Sequence, residues 1–295
     1  MGGNRKVWVR VPGSCGNLGS GFDVVAAAIE LYFELEIEVT PKAQQPMLKS
    51  GDLIADTAWP ILKKAFPGQG FIIKAKSQIP MARGLGSSAA ARVAALAAAY
   101  LLSKGEEGLK SVVGQAARLE GHGDNVAAAF YGGCCTSWRD GETFHCYSQK
   151  VPTSLAAVLA IPEFELPTKK ARQALPLKIP HEDAVFNLSR LAALLAAFAA
   201  KKPEWLRQGL EDRLHQPYRT RLIPGLSRVI NVAVKTGAAG ACLSGSGSSV
   251  LAIAEVKADI VAIAQAMQKA FAASGIKSER KILAFNNKGI EWKLS

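Results

Sequence analysis

The chain has 295 residues, and its 36 Lys and Arg against 24 Asp and Glu give a formal charge of +12. Hydrophobic residues make up 49% of the chain and charged residues 20%, a composition that excludes an intrinsically disordered protein. The longest apolar run, residues 191–200, is shorter than the ~18–20 residues of a membrane span. The first residues lack the apolar core of a secretion signal, so we expect a cytoplasmic protein with no membrane partner.

The positive charge raises nucleic acid as a candidate ligand, but its distribution argues against one. No run of Lys and Arg exceeds two residues, and the aromatic residues do not alternate with basic ones as stacking platforms would. A positive field also attracts small phosphorylated molecules such as nucleotides. We therefore expect no nucleic-acid partner.

The cysteines argue against a disulfide framework and against a zinc site. Their number is odd and none forms a C-x-x-C pair, so we expect reduced, mostly buried thiols. The five are Cys15, Cys134, Cys135, Cys146 and Cys242.

In chain order, hydrophobic alternation predicts strands over residues 6–11, 31–39 and 71–79. A segment rich in Gly and Ser follows and leads into an Ala-rich helix that ends near residue 102. We expect a helix over 108–120, a loop over 121–124, and a further short helix before the glycine pair at 132–133.

The second half predicts a continuous apolar strand at 155–161 and an amphipathic helix at 183–200. Short strands at 241–243 and 250–254 flank a Gly/Ser turn, and a helix at 258–273 precedes a last strand at 281–285. The order β-α-β-β-α-β, with an extra helical stretch around 205–214, is the ferredoxin-like pattern. We therefore expect an α+β fold of two domains, over residues 1–153 and 154–295.

The segment PMARGLGSSAA at 80–90 is the most informative local pattern. Its glycines allow close approach of the backbone to a ligand, and the free N–H groups where the helix begins favour an anion. It is not a Walker A loop, because no Gly-Lys-Ser/Thr follows. A Rossmann loop is also excluded, because the preceding strand carries Lys74 and Lys76 on one face and no second strand ends in an acidic residue.

A second Gly/Ser-rich segment, LSGSGSS at 243–249, lies between two predicted strands. Taken alone, this segment is consistent with a simple hairpin turn.

Three segments together resemble the GHMP kinases, a family of ATP-dependent small-molecule kinases. They are VPGSCGNLGSGFD at 11–23, the segment at 80–90, which matches the family's phosphate loop P-x-x-x-G-L-G-S-S-A-A, and residues 237–251. Within this family, the first segment is similar to the start of homoserine kinases, as are EGHGDNV at 120–126, TKKAR at 168–172 and HQPYR at 215–219.

The resemblance implies the two-domain GHMP kinase fold, with an N-terminal ribosomal-protein-S5-like α/β domain and a C-terminal ferredoxin-like βαββαβ domain. It implies an Mg²⁺-dependent transfer of phosphate from ATP to the hydroxyl of L-homoserine, in threonine biosynthesis, by a homodimer. The implied ATP-binding residues are Pro80, Met81, Ala82, Arg83, Gly84, Leu85, Gly86, Ser87, Ser88, Ala89 and Ala90.

The resemblance also implies roles for individual polar residues. Ser88 and Glu120 would be the Mg²⁺ ligands, a hydroxyl and a carboxylate being oxygen donors that this ion prefers. For the amino acid, Asp23 would face the ammonium, Arg172 and Arg219 would bind the carboxylate, and Asn17 and Asn125 would hold polar groups. The expected catalytic residues are Glu120, His122, Asp124 and Arg219.

The resemblance supplies no carboxylate at the usual position of a general base. The position where several relatives carry an Asp is Asn125 here, so the resemblance implies direct attack by the hydroxyl, with Asp124 as the fallback base. His122 could either orient its loop or touch the substrate.

Simpler interpretations of the same residues stay open at this point. Asp23 could cap a helix over 24–29, Arg172 and Arg219 could be surface charges, and Glu120 could merely end its helix, with the metal-binding Glu further upstream. The alternatives for the function are a GHMP kinase acting on another alcohol and a non-catalytic nucleotide-binding regulator.

Overall fold

The computed structural model describes residues 5–41 and 52–295. Residues 1–4, where the first predicted domain begins, lie outside the described residues. The elements of the first half are β1 (Lys6–Cys15), β2 (Val25–Thr40), α1 (Leu53–Ala65), β3 (Gly70–Ser77), α2 (Ser87–Lys104), α3 (Val112–Glu120), α4 (Asp124–Tyr131), β4 (Cys134–Asp140) and β5 (Thr143–Gln149).

The second half begins with β6 and ends with the short strand β10. Its elements are β6 (Leu155–Pro162), α5 (Thr168–Gln173), α6 (His181–Ala199), α7 (Leu206–Gly209), α8 (Gln216–Arg219), α9 (Leu226–Lys235), β7 (Gly240–Leu243), β8 (Val250–Glu255), α10 (Ile260–Ala272), β9 (Ser278–Ala284) and β10 (Glu291–Leu294). No helix in the two described ranges is long and apolar enough to cross a bilayer.

The first sheet is built around β2, a strand of 16 residues. Its first residues pair with β4 and its later residues with β3, while β1 runs along its other edge. Buried and partly exposed residues alternate along the second half of β2, because one face packs against α2 and the other is open. The pairing of β3 with β2 is antiparallel, as expected from the lysines on β3.

The second sheet has the strand order β7-β8-β6-β9, with every neighbouring pair antiparallel. This order confirms the ferredoxin-like expectation. All eight residues of β6 are buried, because α10 covers one face of the sheet and core residues of the first half contact the other.

One helix of this pattern differs from the prediction. The helix that packs on the sheet beside α10 is α9, which the sequence analysis missed, and the predicted helix at 183–200 (α6) packs instead against α7. The apolar positions Leu226, Val229 and Ala233 of α9 are buried at helical spacing, so the periodicity was available in the sequence.

The chain crosses between the two sheets once near the predicted boundary and returns at its end. β5 ends at Gln149 and β6 begins at Leu155, but β10 pairs with β1 in the first sheet. One strand of the first sheet, β10, thus belongs to the predicted second domain. The domain boundary between residues 153 and 154 stays a prediction.

Helix α2 reaches the centre of the first half because its buried face consists mainly of alanine. These small side chains let β1, β2 and α1 approach it closely.

Ala94 is fully buried on this face of α2. We expect Ala94→Leu to lower the free energy of unfolding by about 1–3 kcal/mol, because the close-packed core cannot accommodate a larger side chain.

Ala192→Leu is the matched control for urea unfolding, because Ala192 is an exposed residue in the middle of α6. Equal midpoints for the two variants would contradict close packing around α2.

Candidate active site

A cavity of about 270 Å³ lies where the phosphate-loop segment meets the Gly/Ser turn between β7 and β8. Its lining residues are Asn17, Asp23, Pro80, Ala82, Arg83, Gly84, Leu85, Gly86, Ser87, Ser88, Ala89, Glu120, His122, Asn125, Thr168, Arg172, Arg219, Gly245 and Ser246. Most of the predicted site residues are therefore brought together. Three are not among the lining residues: Met81 is exposed, and Ala90 and Asp124 are buried behind the wall.

The phosphate-loop segment ends in a helix start suited to an anion. Gly86 adopts φ +72° immediately before α2, and no side chain caps the first N–H groups of that helix. These groups and the helix dipole are therefore left to a negatively charged ligand in the cavity. Gly84 also has a positive φ, of +73°.

The structure gives these glycines a reason besides close approach to a ligand. A Cβ at Gly84 would collide with the carbonyl oxygen of Ser244, and a Cβ at Gly86 would collide with the Ser14 hydroxyl. The two positions are thus closed by neighbouring parts of the protein, in addition to the positive φ that glycine tolerates best.

The second Gly/Ser segment holds the loops of both halves together. The Ser244 hydroxyl donates to the Gly84 carbonyl at 2.7 Å, and the backbone N–H of Ser249 donates to the Arg83 carbonyl at 3.1 Å. The N–H of Gly245 donates to the Gly16 carbonyl at 2.8 Å. This turn is therefore a structural clamp on the cavity and more than a simple hairpin.

Arg83 lines the cavity, but its guanidinium serves the junction between the two halves. Its Nε donates to the carbonyl of Pro162, at the end of β6, at 2.8 Å. The side chain also bonds the carbonyl of Glu163. Only the backbone of Arg83 is thus left to contribute to an anion site.

Glu120 is the last residue of α3, and its carboxylate turns toward α2 rather than to solvent. Oε1 accepts from the Ser88 hydroxyl at 2.6 Å and from Nε of Arg92 at 2.5 Å. A hydroxyl and a carboxylate in contact at the cavity wall form a donor pair that suits Mg²⁺. Arg92, one helical turn after Ser88, was not predicted.

His122 is held by the residue that the sequence analysis named as fallback base. Its Nδ1 donates to Asp124 Oδ1 at 2.6 Å. Burial alone would lower the pKa of His122, but the hydrogen bond to Asp124 and the nearby charges of Asp23 and Glu120 raise it. Asp124 thus acts on the cavity through His122, which it shifts toward the protonated form.

Asn17 and Asn125 lie on the same side of the cavity. The amide oxygen of Asn125 accepts from the Ser14 hydroxyl at 2.8 Å, and that of Asn17 accepts from the N–H of Asp23 at 2.8 Å. Both amides therefore have fixed orientations.

Asp23 and Arg172 contact each other directly. The guanidinium of Arg172 donates to both carboxylate oxygens of Asp23, at 2.7 and 2.8 Å, and this pairing raises the pKa of Arg172. The sequence analysis expected these side chains at opposite ends of a ligand. Because they are paired with each other, a ligand that contacts both must separate them. Asp23 caps no helix, because β2 begins at Val25.

Arg219 is 1% exposed, which excludes a solvated surface charge. Burial lowers its pKa to about 10, and the positive charge of Arg172 adds to this effect. Its buried guanidinium still carries a positive charge at neutral pH and faces the cavity.

Several lining residues had no predicted role. Thr168 and Ser246 place their hydroxyls 3.3 Å apart at the mouth of the cavity. Both lie in segments that carry the family resemblance, but the sequence analysis gave neither residue a place in the cavity wall. Arg92 gives no signal in the sequence, because its role depends on α3 meeting α2.

Comparison with known proteins agrees with this geometry. The profile of the GHMP kinases N terminal domain matches residues 52–133, and that of the GHMP kinases C terminal domain matches residues 194–273. A homoserine kinase of Moorella thermoacetica is 41% identical over 95% of this chain and 98% of its own length. A homoserine kinase of Persephonella marina is 38% identical, covering 95% and 96%.

The chain belongs to the GHMP kinase family. Among solved structures, a homoserine kinase from Cytophaga hutchinsonii superposes with a TM-score of 0.87 at 28% identity, covering 98% of this GHMP kinase and 97% of that chain. A mevalonate kinase shares the fold alone, with a TM-score of 0.66 at 15% identity. The two-domain GHMP kinase fold expected from the sequence is thereby confirmed.

The collision at Gly86 leads to a prediction about the phosphate loop. Gly86→Ala should lower the free energy of unfolding by about 1–3 kcal/mol beyond the strain of a positive φ, because its Cβ meets Ser14. It should also weaken nucleotide binding, measured by calorimetry, because the start of α2 must shift.

The control variant is Gly141→Ala, at φ +55° in the turn between β4 and β5, where a Cβ meets nothing within 4 Å. It carries the backbone strain without the collision. Unchanged nucleotide affinity in folded Gly86→Ala would show that this loop does not bind ATP.

Proposed function

We propose that this GHMP kinase transfers the γ-phosphate of ATP to the side-chain hydroxyl of L-homoserine, giving O-phospho-L-homoserine for threonine biosynthesis. One observation carries the proposal: a single cavity joins the anion-binding start of α2 with side chains of both charge signs. The relatives from Moorella and Persephonella, each described as a homoserine kinase, support it.

The charged residues support an amino acid as the acceptor. Asp23 and Arg172 neutralise each other through their direct ion pair. A zwitterion can separate this pair and still leave each charge compensated, its ammonium on Asp23 and its carboxylate on Arg172 and Arg219. A neutral alcohol would gain nothing from this pair, and an acceptor with only one charge would separate the pair and leave its other member unpaired in a partly buried site, which is costly.

The rest of the cavity supports phosphoryl transfer by positioning and charge. The N–H groups at the start of α2 would bind the phosphates, and Ser88 and Glu120 would hold Mg²⁺, which neutralises phosphate charge when bound. Arg92 keeps the Glu120 carboxylate beside Ser88. His122, whose pKa the hydrogen bond to Asp124 raises, lines the same cavity and can donate to a phosphate oxygen there.

No free carboxylate base is proposed for the acceptor hydroxyl. Among the residues of 5–41 and 52–295 that line the cavity, the carboxylates are those of Asp23 and Glu120, and both are already paired. We infer direct attack by the hydroxyl oxygen on the γ-phosphorus, with ADP as the leaving group and the hydroxyl proton passing to an oxygen of the transferred phosphate. Asn125 would orient the hydroxyl, and the surrounding positive charge would favour the transfer.

The cysteines bear on the cellular setting. The five free cysteines fit the reducing cytoplasm, where we place the enzyme. A homodimer stays a prediction that sedimentation equilibrium tests directly.

The proposal is tested by measuring ADP release with homoserine, threonine, shikimate and mevalonate as acceptors. Homoserine should give by far the highest kcat/KM. A preference for shikimate or mevalonate would assign the chain to another GHMP activity, and no ADP release with any acceptor would favour a nucleotide-binding regulator.

The metal assignment leads to a prediction for Glu120. Glu120→Gln should lower kcat by about a hundredfold or more and raise the Mg²⁺ concentration needed for half-maximal rate, because a charged ligand is lost. Homoserine binding, measured by calorimetry, should change little. Glu107→Gln is the control, since Glu107 pairs with Lys110 on the surface. Near-normal turnover in Glu120→Gln would require another metal ligand.

The charge assignment leads to a prediction for Arg172, which is exposed enough to be replaced without unfolding the protein. Arg172→Leu should raise KM for homoserine by about tenfold to a hundredfold, because a charge-assisted pair is lost, and leave KM for ATP nearly unchanged. The exposed Arg228 provides the control variant Arg228→Leu.

An acceptor without the carboxylate, 3-amino-1-propanol, checks the same contact from the ligand's side. It should be a poor substrate of the unmodified enzyme, and Arg172→Leu should hardly worsen it. If Arg172→Leu impairs the reaction of homoserine and of 3-amino-1-propanol equally, Arg172 does not bind the carboxylate.

A further inference from the structure

His215 is a fully buried imidazole behind the cavity, between two of its walls. One ring nitrogen, Nε2, lies 2.8 Å from the carbonyl oxygen of Gly19. The other, Nδ1, lies 3.1 Å from Nη1 of Arg219. The ring therefore connects the loop before β2 with the buried arginine of α8.

These two contacts determine the proton positions on the ring. A carbonyl oxygen can only accept, so Nε2 must carry the hydrogen that it donates to Gly19. A guanidinium can only donate, so Nδ1 must be unprotonated and accept from Arg219. Only the neutral Nε2–H tautomer satisfies both neighbours.

The electrostatic surroundings also favour the neutral ring. Burial lowers the pKa of His215, and the positive charge of Arg219 lowers it further, against the opposing influence of Asp212 and Asp23. Phe22 stacks on the ring with centroids 5.3 Å apart, which excludes water from that face.

The contact with His215 decides which part of Arg219 is free for a ligand. Nη1 also donates to the Gly245 carbonyl at 3.1 Å, and Nε donates to the Ala171 carbonyl at 3.4 Å. Nη2 has no such bond to residues of the two described ranges. The guanidinium is thus held through Nε and Nη1, with Nη2 left for the cavity.

A second network holds the imidazole itself. Asp212 Oδ2 accepts from the backbone N–H groups of His215 at 3.0 Å and of Gln216 at 2.7 Å. Oδ1 accepts from Asn187 of α6, whose amide also donates to the Ser20 carbonyl at 3.3 Å. The backbone before α8 and the loop before β2 are therefore tied to the same support.

We propose that His215 is a positioning residue that sets the spacing between the two charge-binding sides of the cavity, and so its preference for an α-amino acid. Through Nε2 it holds the loop that carries Asp23, and through Nδ1 it holds Arg219. This inference rests on the proposed function, in which Asp23 receives the ammonium and Arg219 contacts the carboxylate.

The proton arrangement is testable without any substrate. Nitrogen-15 NMR of the histidine ring should show Nε2 protonated and Nδ1 unprotonated, with no titration between pH 5.5 and 8. A protonated Nδ1, or a ring that titrates in this range, would overturn the proposal even in a fully active homoserine kinase.

The positioning role is tested with two variants. His215→Leu should raise KM for homoserine by about tenfold to a hundredfold, because Arg219 loses its acceptor, with KM for ATP within about twofold. His215→Gln can offer an oxygen to Arg219 and an amide hydrogen to Gly19, so it should recover most of the loss.

Asn286→Ala is the control for stability alone. Asn286 lies between β9 and β10, buried against the first sheet, and its amide oxygen accepts from the N–H groups of Lys288 and Gly289. This variant should lower the melting temperature without changing either KM.

The results separate the positioning role from the proposed function. If the unmodified enzyme does not phosphorylate homoserine, the proposed function fails, whereas the NMR result stands by itself. If the enzyme is active but His215→Leu raises both KM values equally, or His215→Gln gives no recovery, His215 only supports the fold and the inference fails.

Discussion

The contact between the two Gly-rich loops is the constraint on which the rest of the site depends. Ser244 bonds the Gly84 carbonyl so closely that no Cβ fits at Gly84. This contact joins the first sheet's phosphate loop to the second sheet, and it places Gly245 where its carbonyl can accept from Arg219. The cavity therefore exists only when both halves are folded and docked, and each half alone supplies an incomplete set of ligands.

The fold and most of the cavity wall could be predicted from the sequence for a physical reason. Strand alternation and the glycine-rich segments are local patterns. They can be recognised in a sequence without knowing which distant residues are in contact. The order of elements in the second half was sufficient for the ferredoxin-like sheet, although α9 was missed and α6 was given its place. The phosphate loop and the charged residues Asp23, Arg172 and Arg219 were found because they lie in short recognisable segments.

What could not be predicted depends on contacts between distant parts of the chain. The direct pairing of Asp23 with Arg172 joins residues 149 positions apart, and the contact between Arg92 and Glu120 joins two helices. The role of His215 follows only from the partners of its two nitrogens. Asp124, the fallback base of the sequence analysis, bonds the His122 ring and does not line the cavity.

The pairing of β10 with β1 has a consequence for how the protein is made. β1 leaves the ribosome long before β10, and its outer edge is covered by that strand, which begins at Glu291. Between β5, which ends at Gln149, and β10 lie roughly 140 residues, which take about 7–28 s to synthesise at ~5–20 residues per second. During that time the nascent chain carries an open sheet edge. Chaperones that recognise unpaired strands therefore have a long opportunity to bind at the outer edge of β1.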